Sequence, residues 1–228
     1  MKKFLAFTMA AAMTLSLAAC GGGSSSGSNT SADGSGSAAF KLGGTGPLTG
    51  DASIYGLAAQ RGAQIAVDEI NAEGGAIQFE LKYEDDVNDP EKAVNAYNAL
   101  KEWGMQISLG SVTTQPCIAT SSYNFADSIF ALTPSASSPD VISGKDNVYQ
   151  MCFSDPNQGT ASAKYISEQK LGEKVFIIWK SDDNYSTGIK DKFVAEAETL
   201  GLNVVGNATF TADSKNDVTV QLTQAKQA

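Results

Sequence analysis

The chain holds 228 residues, 16 basic against 25 acidic, with a net charge of −9 and no histidine. An acidic surface with scattered lysines lacks the positive footprint that nucleic-acid backbones demand. The missing histidine removes imidazole bases, histidine triads and histidine metal sites, and Cys20, Cys117 and Cys152 are too scattered for a zinc cluster.

In chain order, Lys2 and Lys3 precede an apolar run over residues 4–19 that is short and rich in small residues. This pattern is a signal peptide rather than a membrane span. It ends in Leu17-Ala18-Ala19-Cys20-Gly21, which resembles a bacterial lipobox, so residues 1–19 are read as the leader and Cys20 as the lipidated first residue. A diacylglyceryl group gives the two acyl chains that stable anchoring needs. Residues 20–38 are the lipidated cysteine and a Gly/Ser-rich linker that holds no core and reaches about 25 Å. The expected location is the extracytoplasmic face of the cell membrane.

The next stretch, Phe40-Lys41-Leu42-Gly43-Gly44-Thr45-Gly46-Pro47-Leu48-Thr49-Gly50, reads as a strand entering a backbone-rich turn. Leu57, Ala58, Gly62, Ile65, Ala66 and Ile70 then give a predicted amphipathic helix facing a sheet. Gly74 and Gly75 end it, and residues 77–83 alternate as a second strand. In the acidic run over residues 84–91, Asp89 is a good N-cap and Pro90 suits the first helical position. The run lacks the spaced oxygen ligands of a calcium loop, so it is read as a solvated turn and helix cap.

Residues 106–110 are the predicted third strand, emptying into Ser111-Val112-Thr113-Thr114-Gln115-Pro116 ahead of a helix. Hydroxyls beside free helix N–H groups suit an anion, although Thr113 and Thr114 serve equally well as caps. A fourth strand over residues 129–133 leads to Pro134-Ser135-Ala136-Ser137, and residues 148–153 are read as extended. A helix follows Ser154. Residues 175–179 are a buried strand, a polar loop holding Tyr185 leads to another helix, residues 203–210 form a strand, and a last helix begins near Val218. The strand–helix alternation predicts an α/β fold of parallel sheets. The final unit has no strand after it, so the chain reads as C-terminally truncated.

Polar loops thus leave successive strands near Tyr55, Ser111, Ser135–Ser137 and Tyr185, converging on a cleft for a small polar molecule. The expected chemistry is binding without turnover, with no cofactor and no metal. Ser111 has no histidine base and no Ser-x-x-Lys pattern, and Gly44-Thr45-Gly46 lacks the dinucleotide fingerprint's third glycine at the required offset.

Several separated motifs carry a resemblance. Gly46-Pro47-Leu48-Thr49-Gly50 with Tyr55-Gly56, then residues 63–75, 83–93, 111–116, 133–136 and 153–159, are similar in order and kind to the branched-chain amino-acid-binding protein family. These are Leu/Ile/Val-binding-like solute receptors of ABC importers, with the type I periplasmic-binding fold of two Rossmann-like lobes. The resemblance implies lobe one at residues 39–154 and part of lobe two at residues 155–228. It implies that Tyr55 packs on the ligand side chain, and that Ser111 holds its α-carboxylate with Thr113 or Thr114 nearby. Ser135 and Ala136 supply loop backbone, Ser137 a hydroxyl and Tyr185 the second lobe's aromatic. The acidic partner for the α-ammonium is expected beyond Ala228, and a chain ending there is expected to bind its guest weakly. An extracytoplasmic site permits a Cys117–Cys152 disulfide, the alternative being two buried thiols. The expected role is a lipid-anchored receptor delivering an amino acid or related small polar solute to membrane permease subunits. A ligand sensor of the same fold is the alternative.

Overall fold

A computed structural model describes residues 39–228. The predicted leader, Cys20 and the linker lie outside the described residues. Five strands form one parallel sheet: β1 (Phe40–Gly46), β2 (Phe79–Asp85), β3 (Ile107–Ser111), β4 (Phe130–Thr133) and β5 (Val148–Gln150), in the order β2-β1-β3-β4-β5. The helices joining them are α1 (Ser53–Ala72), α2 (Pro90–Trp103) and α3 (Thr114–Ala126), with a 3₁₀ turn at Pro139–Val141 before β5. The chain then crosses into a second layer. There α4 (Asp155–Glu168) and α5 (Asn184–Leu200) pack against the parallel pair β6 (Lys174–Lys180) and β7 (Asn203–Phe210), and α6 (Thr219–Gln227) follows. Among the described residues no helix is long and apolar enough to cross a membrane.

Local chemistry explains the element ends. Asp89 caps α2 by accepting the Lys92 N–H at 2.9 Å, Pro90 occupies the first turn, and Gly104 closes the helix in the left-handed region at φ 94°. One core lies under α2, where Tyr97, Leu100 and Met105 are buried with Trp103 and Ile129 against them. A second gathers Cys117, Ala131, Ala136, Val141 and Val148 beneath α3. Between the helices and strands of the second layer, Ala163, Phe193 and Ala197 pack against Val175, Ile177 and Val204.

Three sequence expectations are corrected. Helix α1 buries Gly56 and Val67, while Ile65 and Ile70 are exposed. Small residues at one helical spacing bring that face close to the sheet, which turns the bulkier stripe outward. The acidic run after β2 is not wholly solvated, because Asp86 is buried. Cys117 and Cys152 are free thiols, so the disulfide reading is not realised. Cys117 is enclosed in the core beneath α3, and that burial pushes its thiol up to about 11.

One side chain stitches α1 to β2. Asn71 donates to the Phe79 carbonyl at 2.8 Å and accepts the Phe79 N–H at 2.9 Å. Asn71→Ala is expected to cost about 1–2 kcal/mol, because it strands two half-buried backbone groups at once. Urea denaturation measures this directly.

Candidate functional site

A strand order of β2-β1-β3 places a topological switch between β1 and β3, and the crevice outside their carboxyl ends is where such sheets bind ligands. A cavity of about 400 Å³ lies at this edge, lined by residues that follow β1 to β6. Ala52 and Tyr55 follow β1, Asn88 follows β2, and Val112, Thr113, Thr114 and Gln115 follow β3. Ser135 and Ser137 follow β4, Phe153 follows β5, and Asp183 and Tyr185 come from the second layer after β6.

Of the residues singled out in the sequence, the fold brings Tyr55, Thr113, Thr114, Ser135, Ser137 and Tyr185 to this one cavity. Tyr55 is 66% exposed and Tyr185 37% exposed, so both tyrosines stand at the rim. The Tyr185 hydroxyl donates to Gln158 Oε1 at 3.2 Å. Ser135 is held by donating to the Val112 carbonyl at 2.5 Å, and the Thr114 hydroxyl accepts the Ser137 N–H at 3.3 Å. Thr113 occupies the N-cap position of α3, yet its hydroxyl caps nothing and is buried without a partner. An unsatisfied hydroxyl beside the free N–H groups of a helix start is suited to an acceptor on a guest.

Ser111 and Ala136 depart from the reading and do not line the cavity. Side chains alternate along β3, and Ser111 points beneath the site. Its hydroxyl is 2.5 Å from Thr45 Oγ1 and 3.0 Å from Thr120 Oγ1, with no exposed surface. Ala136 is core, with its N–H given to Thr133 Oγ1 and its carbonyl taken by Gln150. These two residues hold the floor and wall in shape.

Asn88, Val112, Gln115, Phe153 and Asp183 also line the cavity, although the sequence reading assigned none of them to the site. The rule that strand exits bind could have found Asn88 and Asp183. Asn88 sits at φ 59°, in the left-handed region that asparagine tolerates, and its N–H donates to Asp86 Oδ1 at 2.9 Å. The neighbouring Asp85 joins this turn to the β1 exit, accepting from Leu48 N–H at 2.8 Å, Val87 N–H at 2.9 Å and the Thr49 hydroxyl at 2.5 Å. Burial opposes its ionisation, but these donors together hold the carboxyl below its usual range.

The two layers touch across the cavity mouth. Gln115 Nε2 donates to the Asp182 carbonyl at 3.1 Å, and Lys215 after β7 pairs with Asp51 beside α1. No group of three or more His, Cys, Asp or Glu among the described residues is arranged to hold a metal.

The periplasmic binding protein family matches residues 39–228. Leu/Ile/Val-binding protein BraC3 of Rhizobium johnstonii is 32% identical over 173 residues, covering 75% of this chain and 47% of the relative. Leu/Ile/Val-binding protein homolog 3 of Brucella melitensis is 30% identical over 185 residues, covering 80% and 50%. The chain thus spans about half the length of these curated relatives. Among solved structures, the branched-chain amino acid transporter substrate-binding protein LivJ of Streptococcus pneumoniae, in complex with isoleucine, superposes with a TM-score of 0.77. It is 27% identical, over 83% of this chain and 54% of that one. A Rhodopseudomonas palustris solute-binding protein in complex with 4-hydroxybenzoate shares the fold at a TM-score of 0.75 and 19% identity, over 83% and 51%. With its doubly wound sheet and a match running from the first described residue to the last, the chain belongs to the periplasmic binding protein family, on the type I fold.

Proposed function

We propose that this chain is the ligand-binding part of a solute receptor that hands an amino acid, branched-chain or closely related, to the membrane subunits of an ABC importer. The observation that carries this is a single cavity formed by strand-exit loops of both layers, with hydroxyls at one side and tyrosines at the rim. Such a cavity binds a small polar guest and releases it unchanged. Residues 39–154 serve as lobe one and residues 155–228 contribute to lobe two. Tyr55, Thr113, Thr114, Ser135, Ser137 and Tyr185 contact the guest. Ser111 acts from beneath, keeping β1 and β3 in register. Closure of the layers, a hinge motion, presents the docking surface to the permease. The lipobox-like Leu17-Ala18-Ala19-Cys20 supports anchoring at Cys20 on the extracytoplasmic face.

Ligand-observed NMR with L-leucine, L-isoleucine and L-valine tests the reading even where binding is weak. All three are expected to compete for one site, and Tyr55→Ala is expected to weaken each by about tenfold, the contact worth of one aromatic ring. Binding of none of them, or chemical conversion of the guest, overturns it.

A further inference from the structure

Asp155 opens α4 where the chain crosses from the first layer to the second. Its carboxyl is 0% exposed, and neither oxygen is hydrogen-bonded. A carboxylate at a helix start ordinarily takes one of the free N–H groups there, and this one takes none. Two glycines wall it in. A Cβ at Gly188 would sit 3.0 Å from the Asp155 Cβ and 3.3 Å from Oδ2, and one at Gly159 would sit 2.8 Å from the Phe193 nitrogen. Helices α4 and α5 therefore meet almost backbone to backbone and move as one body. The facing wall belongs to the first layer, where the Ser137 carbonyl accepts the Asp155 N–H at 3.0 Å and Ser137 lines the cavity. Among the described residues no cation answers the buried group. Lys164 on α4 pairs with Glu196 at 3.7 Å, and on α5 Lys190 pairs with Asp191 while Lys192 is exposed. The other titratable neighbours are Asp183 at the cap of α5, Asp140 in the 3₁₀ turn and Cys152 after β5. Burial pushes the Asp155 carboxyl up, and the charges of Asp183 and Asp140 add to the rise.

We infer that Asp155 is a proton-linked hinge residue, which lets the layers close on a guest while it is neutral and parts them when it is charged. The inference rests on the proposed solute-binding role. With the layers together, an ionised Asp155 is a buried charge without cation or donor, a state a carboxyl escapes by holding a proton. Parting the layers withdraws the Ser137 loop, the wall not fixed to α4 and α5, and lets water solvate the charge. Closure therefore takes up a proton. By linkage, guest affinity falls as pH rises between the carboxyl's values in the open and closed arrangements. Within that interval the fall is up to about tenfold per pH unit. Asp155 acts through the hinge and does not touch the guest.

The probe is L-leucine in ligand-observed NMR at pH 5 and pH 7.5, a range over which it keeps both its charges. The unaltered chain is expected to bind it about fivefold or more weakly at the higher pH. Asp155→Asn, neutral throughout, is expected to bind equally at the two values and to match the parent at pH 5. Asp86 is unaltered in this variant, so a pH dependence that survives the substitution overturns the assignment. Parent affinities equal within about twofold also overturn it and leave the cleft reading standing. Hydrogen exchange on the unaltered chain needs neither guest nor variant. Corrected for intrinsic rates and measured against the buried Leu100 amide of α2, the Asp155 amide is expected to lose about fivefold in protection from pH 5 to pH 7.5. Unchanged relative protection overturns the hinge. L-leucine binding at neither pH overturns the cleft reading, and exchange at the Asp155 amide then decides the hinge alone.

Discussion

Gly56→Ala is expected to destabilise the chain by about 2–3 kcal/mol, even though the substitution lies inside a helix. In an exposed helix, glycine to alanine gains up to about 1 kcal/mol. At position 56 a Cβ would sit 2.0 Å from the Pro47 carbonyl oxygen, 2.6 Å from its carbon and 2.9 Å from its nitrogen. All three are backbone atoms of the β1 exit, so no flexible side chain can yield. Helix α1 must lift away, and the turn carrying Ala52 and Tyr55 moves with it. Gly62 is the control within the same helix, because a Cβ there meets nothing within 4 Å. Gly62→Ala is expected to be neutral or stabilising by up to about 1 kcal/mol. Thermal melts should place Gly56→Ala about 5–10 °C below the parent and Gly62→Ala at or above it. Equal effects at the two positions would show that α1 does not pack on Pro47.

Asp86→Asn is expected to stabilise the chain at neutral pH and to flatten its pH dependence. Asp86 is fully buried; Oδ1 accepts the Asn88 N–H, and Oδ2 has no partner. Burial pushes its carboxyl up to about 6, the Asn88 N–H pulls the other way, and the charges of Asp85 and Asp89 add to the rise. A raised carboxyl means the folded chain binds a proton that the unfolded chain releases. Stability is therefore highest below about pH 4 for this group and falls as pH climbs to about 6, by about 2–3 kcal/mol. Asp155, also raised, acts in the same direction. Asp51, Asp85, Asp127, Asp182 and Asp217 are lowered, so their contribution is lost only as pH falls below the ordinary carboxyl range. The two windows separate. Urea denaturation at pH 4.5 and 7.5 should show the parent less stable at the higher pH and Asp86→Asn losing most of that difference. An amide at position 86 keeps the acceptor that holds Asn88, so the cavity should keep its shape. A parent chain that gains stability between these pH values would contradict the buried charge.

Much of this site was legible because strand-exit loops announce themselves in composition. Glycine, proline and hydroxyl residues cluster where β1, β3 and β4 end, since those turns need backbone freedom and caps. Tyr55, Ser135 and Ser137 could therefore be placed at strand-exit loops from the chain alone, while Thr113 read equally well as a cap. Gln115 could not, because a helix-start glutamine has the same local signature whether or not it faces a cavity. Ser111 shows the converse. Its place at a strand end was readable, but the pleat decides whether it or Val112 meets the cavity.

The order of elements, the parallel α/β class and the edge of the sheet that carries the site follow from the chain by itself, because period, caps and turn residues are local properties. Which face of α1 is buried, that Asp86 lies in the dry interior, and that Asp183 comes opposite Thr113 were decided only by tertiary packing. Each depends on contacts between residues distant in sequence. The close approach of Gly56 to Pro47 and the crossing into the second layer set those contacts, and neither leaves a periodic trace in the residues it brings together.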